Sequence, residues 1–202
     1  MKGKTHAGIG VLTFIAICNS ISARLNFSGL IIVTIASLLP DIDHPKSIIN
    51  RYILPFRNKS TKTVFYTCVG IVFLWYSFLH NGESYLQSLG ITFVLIAISS
   101  HRKGLTHSLT GLILFSFIAG YTGNIYNIDN VIYYFMLGYG LHLVCDMGTN
   151  RGIPLFYPFR NKNFKLPITF RTNSKVGNII EEFIMILGLL YVVYQLPSII
   201  YR

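Results

Sequence analysis

The sequence predicts an all-α integral membrane protein, a polytopic bundle of about seven transmembrane helices. The first observation is composition, because 52% of the 202 residues are hydrophobic and only 12% are charged, about half the charged fraction of an average soluble domain. The second is a series of apolar runs with very few charged residues, each close to the roughly 20 residues that a helix needs to cross a bilayer core about 30 Å thick. The third is the uneven distribution of basic residues between the loops.

The apolar runs define the predicted helices in order. They cover about residues 7–23, 26–42, 64–79, 84–100, 107–123, 131–147 and 179–200. The second and third are short, near the lower limit of about 17 residues, and are expected to tilt little or to stop at the interface. The first run also fits a signal peptide, with Lys2 and Lys4 before it and the small residues of SISA at its end. We prefer a retained helix within a single domain over residues 1–202.

Basic residues predict the orientation. If the helices alternate in direction, one side of the membrane receives the N-terminus and the loops 43–63, 101–106 and 148–178. That side carries 15 of the 17 Lys and Arg residues, and only Arg24 and Arg202 fall on the other. The positive-inside rule therefore places the N-terminus in the cytoplasm. A basic cytoplasmic surface attracts anionic lipid headgroups, so lipid is the expected partner and the net charge of +10 requires no nucleic acid.

Most histidines and acidic residues are predicted to lie at one depth, near the cytoplasmic helix ends. Ionisable groups at membrane depth are costly and usually functional, so this coincidence is the main signal in the sequence. The group is His6, Asp41, Asp43, His44, His101, His107, His142, Asp146, Glu181 and Glu182.

The segment LPDIDHP ends the second apolar run between Pro40 and Pro45. Each proline disfavours helical geometry in the residue before it and removes a backbone donor. Asp41, Asp43 and His44 are therefore held out of regular helix, where their side chains could converge on one cation. The alternative is a solvated interfacial loop, although acids at a helix C-terminus oppose the helix dipole.

Three further motifs supply histidines. GLHLVCD places His142 and Asp146 four residues apart, on one face of a helix, where they could bind one ion, or the carboxylate could orient the imidazole, or the two could form a hydrogen bond within the bundle. HRKGLTH places His101 and His107 around a polar turn, and His6 precedes the first apolar run. Each motif alone is a weak signal. Because all of them are predicted to lie at the same depth, they could contribute to one site.

The candidate ligands are imidazoles and carboxylates without a thiolate pair, because the three cysteines lie in separate apolar runs. This mixture suits Zn²⁺ first, with Mn²⁺, Fe and Co as alternatives. Eight candidates exceed the three or four ligands of one catalytic zinc, so two or more ions are expected. Ions spaced about 3.5–4 Å apart are a common device for cleaving phosphate esters.

The five-residue sequence PFRNK occurs twice, at 55–59 and 158–162. Each copy starts twelve residues after an aspartate at the end of a predicted helix, Asp43 or Asp146. One interpretation is a pair of arms in which Arg57 and Arg160, together with Arg102, hold a phosphate beside the metal. The other is that both are juxtamembrane anchors whose side chains reach the interface.

Glu181 and Glu182 lie in the first turn of the last predicted helix. Acids there complement the positive end of the helix dipole. One of them could instead be a metal ligand or a general base, since a carboxylate at this depth can reach a water molecule at the site.

Four motifs in this order, THAGIG, LPDIDHP, HRKGLTHSL and GLHLVCDMGTNRGIPLFYPF, resemble those of the YdjM-like family of predicted membrane-bound metal-dependent hydrolases. The resemblance runs from residue 5 to about residue 182. That family is distantly similar to the zinc-dependent phospholipase C and single-strand nuclease superfamily, all-helical enzymes with a cluster of zinc ions. The resemblance implies metal ligands at His6, Asp41, His101, His107, His142 and Asp146, with Asp43 and His44 as further candidates.

We therefore expect a multi-pass cell-membrane protein that cleaves a phosphoester in a phospholipid or another lipid-linked phosphate at the cytoplasmic face. The residues expected to hold the phosphate are Arg57, Arg102 and Arg160. Those expected to move the proton are Asp43, Glu181 and Glu182. The alternatives are a non-enzymatic scaffold and a metal-ion or proton-coupled transporter, whose sites usually lie near the bilayer midplane. The sequence indicates no oligomeric state.

Overall fold

The computed structural model describes residues 1–20, 25–99 and 104–200. This part of the chain is mainly helical, and its longest connection is the non-helical segment 148–174 between the last two helices. The α helices are α1 (Gly3–Ser20), α2 (Phe27–Leu38), α3 (Ile48–Ile53), α4 (Lys59–Leu79), α5 (Ser84–Ile98), α6 (Leu109–Ile125), α7 (Val131–Met147) and α8 (Lys175–Ile200). Two 3-10 turns cover Leu39–Asp43 and Leu105–His107. Within the described ranges the β structure amounts to two isolated bridges, so the all-α prediction is confirmed there.

Two of the described helices are long and apolar enough to cross a membrane, Lys59–Leu79 in α4 and Lys175–Pro197 in α8. Shorter apolar segments are Gly3–Cys18, Ser84–Ile98, Leu109–Ile125 and Val131–Met147. The membrane-helix character is thus supported for two segments. The count of seven and the cytoplasmic N-terminus stay predictions.

The second predicted helix is shorter in the structure than the apolar run 26–42 suggests. α2 ends at Leu38, and the chain continues as a 3-10 turn through Asp43. Pro40 has no N–H to continue the α-helical ladder and its ring crowds the preceding turn, which explains the change. At 1.5 Å per residue, the 12 residues of α2 span only about 18 Å.

Polar capping residues set two helix starts that apolar runs do not reveal. α3 was not predicted, and it begins after Ser47, whose Oγ accepts a hydrogen bond from the Asn50 N–H at 3.3 Å. α4 begins at Lys59, five residues before the predicted start, because Asn58 Oδ1 accepts from the Thr61 N–H at 2.7 Å. Both are the expected chemistry of an N-cap.

The chain divides into two compact units. The first unit comprises Met1–Leu38, Tyr133–Ile153 and Asn163–Arg202, and the second comprises Leu39–Ile132 and Pro154–Lys162. Each has its own buried side chains and is described by itself below. The prediction of one functional domain over the whole chain stays a prediction.

In the first unit, α1 packs against both α2 and α8. The apolar centre consists of Phe14, Cys18 and Val33. Glycines allow close approach of the helices, since a Cβ at Gly188 would lie 2.5 Å from the side chain of Leu12. Small residues at contacts are how membrane helices gain van der Waals packing.

Gly138 in α7 marks the tightest contact with α2. A Cβ at this position would collide with the carbonyl oxygen of Val33 and lie 3.0 Å from the Ala36 Cβ. We expect Gly138→Ala to push the two helices apart and to lower the free energy of unfolding by about 1–3 kcal/mol, the usual cost of overpacking. Thermal unfolding in detergent measures the effect.

Gly140 provides the matched control for Gly138, because it lies in the same helix and a Cβ there has no atom within 4 Å. We expect Gly140→Ala to leave stability unchanged or to raise it slightly, since alanine is the better helix former. Equal melting temperatures for the two variants would contradict the packing assigned to Gly138.

In the second unit, α4 packs along α5, and α5 contacts α6. Sequence analysis placed Lys62 in a cytoplasmic loop, but it lies in α4 and is only 1% exposed. Its Nζ donates to the carbonyl oxygens of Ile96 at 3.0 Å and Ser99 at 2.8 Å. These carbonyls lie at the end of α5, where the helix supplies no donors of its own. The buried ammonium therefore caps α5.

Candidate functional site

In the first unit, α1 and α7 bring His6, His142 and Asp146 into contact. Asp146 Oδ1 lies 3.2 Å from His6 Nε2, and Asp146 Oδ2 lies 3.5 Å from His142 Nε2. The two imidazole rings are stacked, with centroids 3.8 Å apart, and both residues are at most 2% exposed. Oδ1 also accepts a hydrogen bond from the Met1 amino group at 2.6 Å. One carboxylate thus faces two buried imidazoles.

The backbone around these residues fixes which ring nitrogen of His142 donates a hydrogen bond. Its Nδ1 lies 2.7 Å from the Ser37 carbonyl oxygen, which can only accept a hydrogen bond, so Nδ1 carries the proton. In the neutral ring Nε2 then presents its lone pair to Asp146. Two acceptors at 3.5 Å repel each other unless a cation or a second proton lies between them. A backbone carbonyl orients histidines at metal sites in the same way, so the geometry of His142 is compatible with a bound cation.

The second unit contains a similar set on its two 3-10 turns. His107 Nε2 lies 3.7 Å from Asp41 Oδ1, and His107 Nδ1 lies 3.7 Å from Asp43 Oδ2. Thr106 Oγ1 donates to Asp43 Oδ2 at 2.6 Å. Asp43, Thr106 and His107 are at most 2% exposed, and the side chain of Asp41 is 20% exposed. Of the two aspartates, Asp41 is therefore the one that an external ion or substrate could reach.

Thr106 orients His107 as the Ser37 carbonyl orients His142. The hydroxyl has one hydrogen and gives it to Asp43, so at 3.3 Å from His107 Nδ1 it acts as the acceptor. Nδ1 therefore carries the proton, and Nε2 offers its lone pair toward Asp41. Both units thus hold a buried imidazole with the same tautomer and the same ring nitrogen turned to a carboxylate.

The residues fit a divalent metal. The described residues that could hold an ion are Asp41 and His107 in the second unit and His142 and Asp146 in the first. The Nε2-to-carboxylate distances of 3.2, 3.5 and 3.7 Å bracket the edge of about 3.3 Å expected for a tetrahedron with zinc-ligand bonds of about 2.0–2.2 Å. Nitrogen and oxygen donors without thiolate equally suit Mn²⁺ or Fe.

The two glutamates predicted to be catalytic differ in their surroundings. Glu181 in α8 is 2% exposed, and its Oε2 accepts from the Thr5 hydroxyl at 2.7 Å and from the Lys2 N–H at 3.3 Å. Its Oε1 has no hydrogen-bond partner among the described residues. Glu182, by contrast, is exposed on the same helix. Only Glu181 is therefore held inside the first unit, against the residue that precedes His6.

The contacts described above do not include the remaining predicted site residues. Arg57 and Arg160 are exposed in the second unit. His44 is half-buried, and its Nδ1 accepts from the Lys46 N–H at 3.2 Å within its own turn. His101 and Arg102 lie outside the described residues.

Sequence reasoning missed the buried groups that support these side chains. Thr106, Asn50 and Tyr66 are at most 1% exposed and hydrogen-bond to the acidic turn or to each other. Thr106 could have been noticed as the neighbour of His107. Asn50 and Tyr66 belong to no motif, and only the fold reveals them.

Comparison with known proteins gives one informative result. A family model described as "YdjM inner membrane protein" matches residues 1–199. No curated protein and no solved structure gives a significant match.

Proposed function

The chain belongs to the YdjM inner membrane protein family, and from this premise we propose that it is a membrane-bound metal-dependent hydrolase. Its substrate class is a phosphoester in a phospholipid or another lipid-linked phosphate. The membrane location follows from the family. The activity is our proposal.

The observation that carries the proposal is the pair of oriented histidines. His107 and His142 each have Nδ1 committed to a protein acceptor, and each turns Nε2 to a carboxylate. Burying two such acceptor-to-acceptor contacts is unfavourable unless a cation or a second proton lies between the two atoms, and we propose the cation. Evolved metal sites use this support of the second ring nitrogen to fix the ligand.

We propose zinc as the ion, with Mn²⁺ or Fe as alternatives, and two or more ions in total. The proposed ligands are His6, Asp41, His101, His107, His142 and Asp146. A divalent cation bound by these residues supplies a positive charge that activates water and stabilises the phosphoryl oxygens in the transition state.

Other residues of the chain are proposed to accept the proton, to orient His107 and to bind the phosphate. We assign the proton-accepting role to Glu181, because it is buried and one carboxylate oxygen has no partner among the described residues. Asp43 instead accepts from Thr106 and orients His107. Arg57, Arg102 and Arg160 would bind the phosphate, since guanidinium groups match its oxygens with paired hydrogen bonds.

We also propose how the protein is oriented in the membrane. Seven membrane helices with a cytoplasmic N-terminus would place the basic loops and the metal ligands on the inner side, because 15 of 17 basic residues then obey the positive-inside rule. A lipid substrate would be met in the inner leaflet.

The experiment that tests the function is phosphate or phospho-headgroup release from vesicles of mixed lipids by the purified, zinc-loaded protein. We expect turnover by the wild type and by His80→Ala, a variant of an exposed histidine, and none by His107→Ala. If zinc binds but no ester is cleaved while ions cross proteoliposomes, the protein is a transporter and the hydrolase proposal is wrong.

A further inference from the structure

The acidic turn of the second unit has little regular support of its own. Leu39–Asp43 is a 3-10 segment, whose hydrogen bonds have poorer geometry than those of an α helix. Pro40 and Pro45 flank its acidic residues and remove two backbone donors. The position of Asp41 and Asp43 therefore depends on groups outside the turn.

Asn50 supplies that support from α3. Its Nδ2 donates to the carbonyl oxygens of Ile42 at 2.7 Å and His44 at 2.8 Å, the residues on either side of Asp43. Two carbonyls can only accept, so the amide nitrogen must face them and Oδ1 must face away. The side-chain amide thus uses both of its hydrogens to bracket one aspartate.

Tyr66 in α4 completes the arrangement. Its hydroxyl donates to Asn50 Oδ1 at 2.5 Å, and Asn50 and Tyr66 are 0% and 1% exposed. The acceptor of the amide is thereby occupied, so the amide is held in the orientation that serves the turn. A buried polar group of this kind is favourable only when its hydrogen bonds are made.

The exposure pattern of α3 agrees with this role for Asn50. Asn50 is its buried residue, whereas Tyr52 is 82% exposed and Ile53 45% exposed. A surface helix normally buries its apolar side chains and exposes its amides. Here the six-residue helix presents an amide inward, and its Ser47 cap fixes the Asn50 backbone as well.

We propose that Asn50, held by Tyr66, is a positioning residue that sets Asp41 and Asp43 relative to His107 for metal binding. Neither Asn50 nor Tyr66 is among the proposed metal ligands. The inference rests on the proposed metal site and deepens it. With Thr106 bonded to Asp43 at 2.6 Å, the turn is fixed from two directions.

The test is zinc affinity of the purified full-length protein, measured by competition with a chromophoric chelator. We expect Asn50→Ala and Asn50→Asp to weaken zinc binding about 10–100-fold, the usual effect of removing a group that orients metal ligands. Asn50→Asp is informative because a carboxylate keeps the size but cannot donate to two carbonyls. Tyr66→Phe, which removes only the hydroxyl, is expected to give a smaller loss.

Ser77→Ala is the matched control. Ser77 is 0% exposed in the same helix as Tyr66, and its Oγ donates to the Glu83 carbonyl at 3.0 Å, near the other end of α4. We expect this variant to melt at a lower temperature and to keep wild-type zinc affinity. A purely structural role for Asn50 would produce the same pattern, with an unchanged rise in melting temperature on adding zinc.

The outcomes separate the two proposals. If the wild type binds no zinc, the proposed function fails. If the wild type binds zinc and both Asn50 variants bind it equally well, only the positioning role is overturned. Should Asn50→Ala not fold, Tyr66→Phe decides, because wild-type affinity in that folded variant would overturn the proposal.

Discussion

Replacing Asp146 by asparagine is expected to weaken zinc binding at least about 100-fold and to reduce ester cleavage to background. The carboxylate faces the Nε2 atoms of His6 and His142 at 3.2 and 3.5 Å. Asparagine keeps the size of the side chain but removes the charge, so it can no longer compensate a cation among buried imidazoles. Metal content of the purified variant, determined by elemental analysis, measures the first effect.

Asp129→Asn is the control for Asp146→Asn, since it makes the same chemical change at an exposed loop residue. It should retain metal and activity. A folded Asp146→Asn protein with the metal content of the wild type would show that the contacts of this carboxylate are held by protons alone, and the metal interpretation of the first unit would be abandoned.

Stripping the metal with a chelator is expected to abolish ester cleavage and to lower the melting temperature. Ligand binding to the folded state stabilises it by about 2.7 kcal/mol at a free concentration 100 times the Kd, and that contribution disappears with the ion. Adding back Zn²⁺ should restore both properties. Differential scanning fluorimetry of the apo and reloaded protein, with a phosphate-release assay on the same samples, measures the two effects together.

Mg²⁺ serves as the control for this experiment. It demands octahedral oxygen coordination, so a site rich in imidazole should respond to it weakly. Full recovery of melting temperature and activity with Mg²⁺ alone would contradict the assigned histidine ligands. Unchanged cleavage after complete stripping would instead contradict metal dependence.

The sequence predicted helices well where apolar residues form the whole element. α7 covers Val131–Met147, the predicted span. The apolar pattern of the sequence predicted the starts of α4 and α8 less well. These two helices begin after the capping residues Asn58 and Ser174, several residues before their apolar runs. An apolar run cannot reveal a cap, because the cap acts through hydrogen bonds to the first-turn N–H groups.

The residues of the candidate site also fall into two groups, those that local sequence spacing predicts and those that only the fold brings together. The pair His142 and Asp146 follows from helical spacing, which is a local property. The distance between Asp41 and His107 depends on two 3-10 turns meeting, and no local spacing encodes it, because the two residues are 66 positions apart in the sequence. The tautomer of His107 depends further on Thr106, which only the folded chain brings to the ring.

The brevity of α2 has a consequence for how a lipid would reach the acidic turn. If α2 crosses the membrane, as the apolar run 26–42 predicts, a helix of about 18 Å would fall short of a hydrocarbon layer of about 30 Å, and the bilayer beside Leu39–Asp43 would have to become thinner or admit water. Local thinning of this kind would bring lipid headgroups to the depth of Asp41. A phospholipid could then be presented for cleavage while its acyl chains remain among their neighbours.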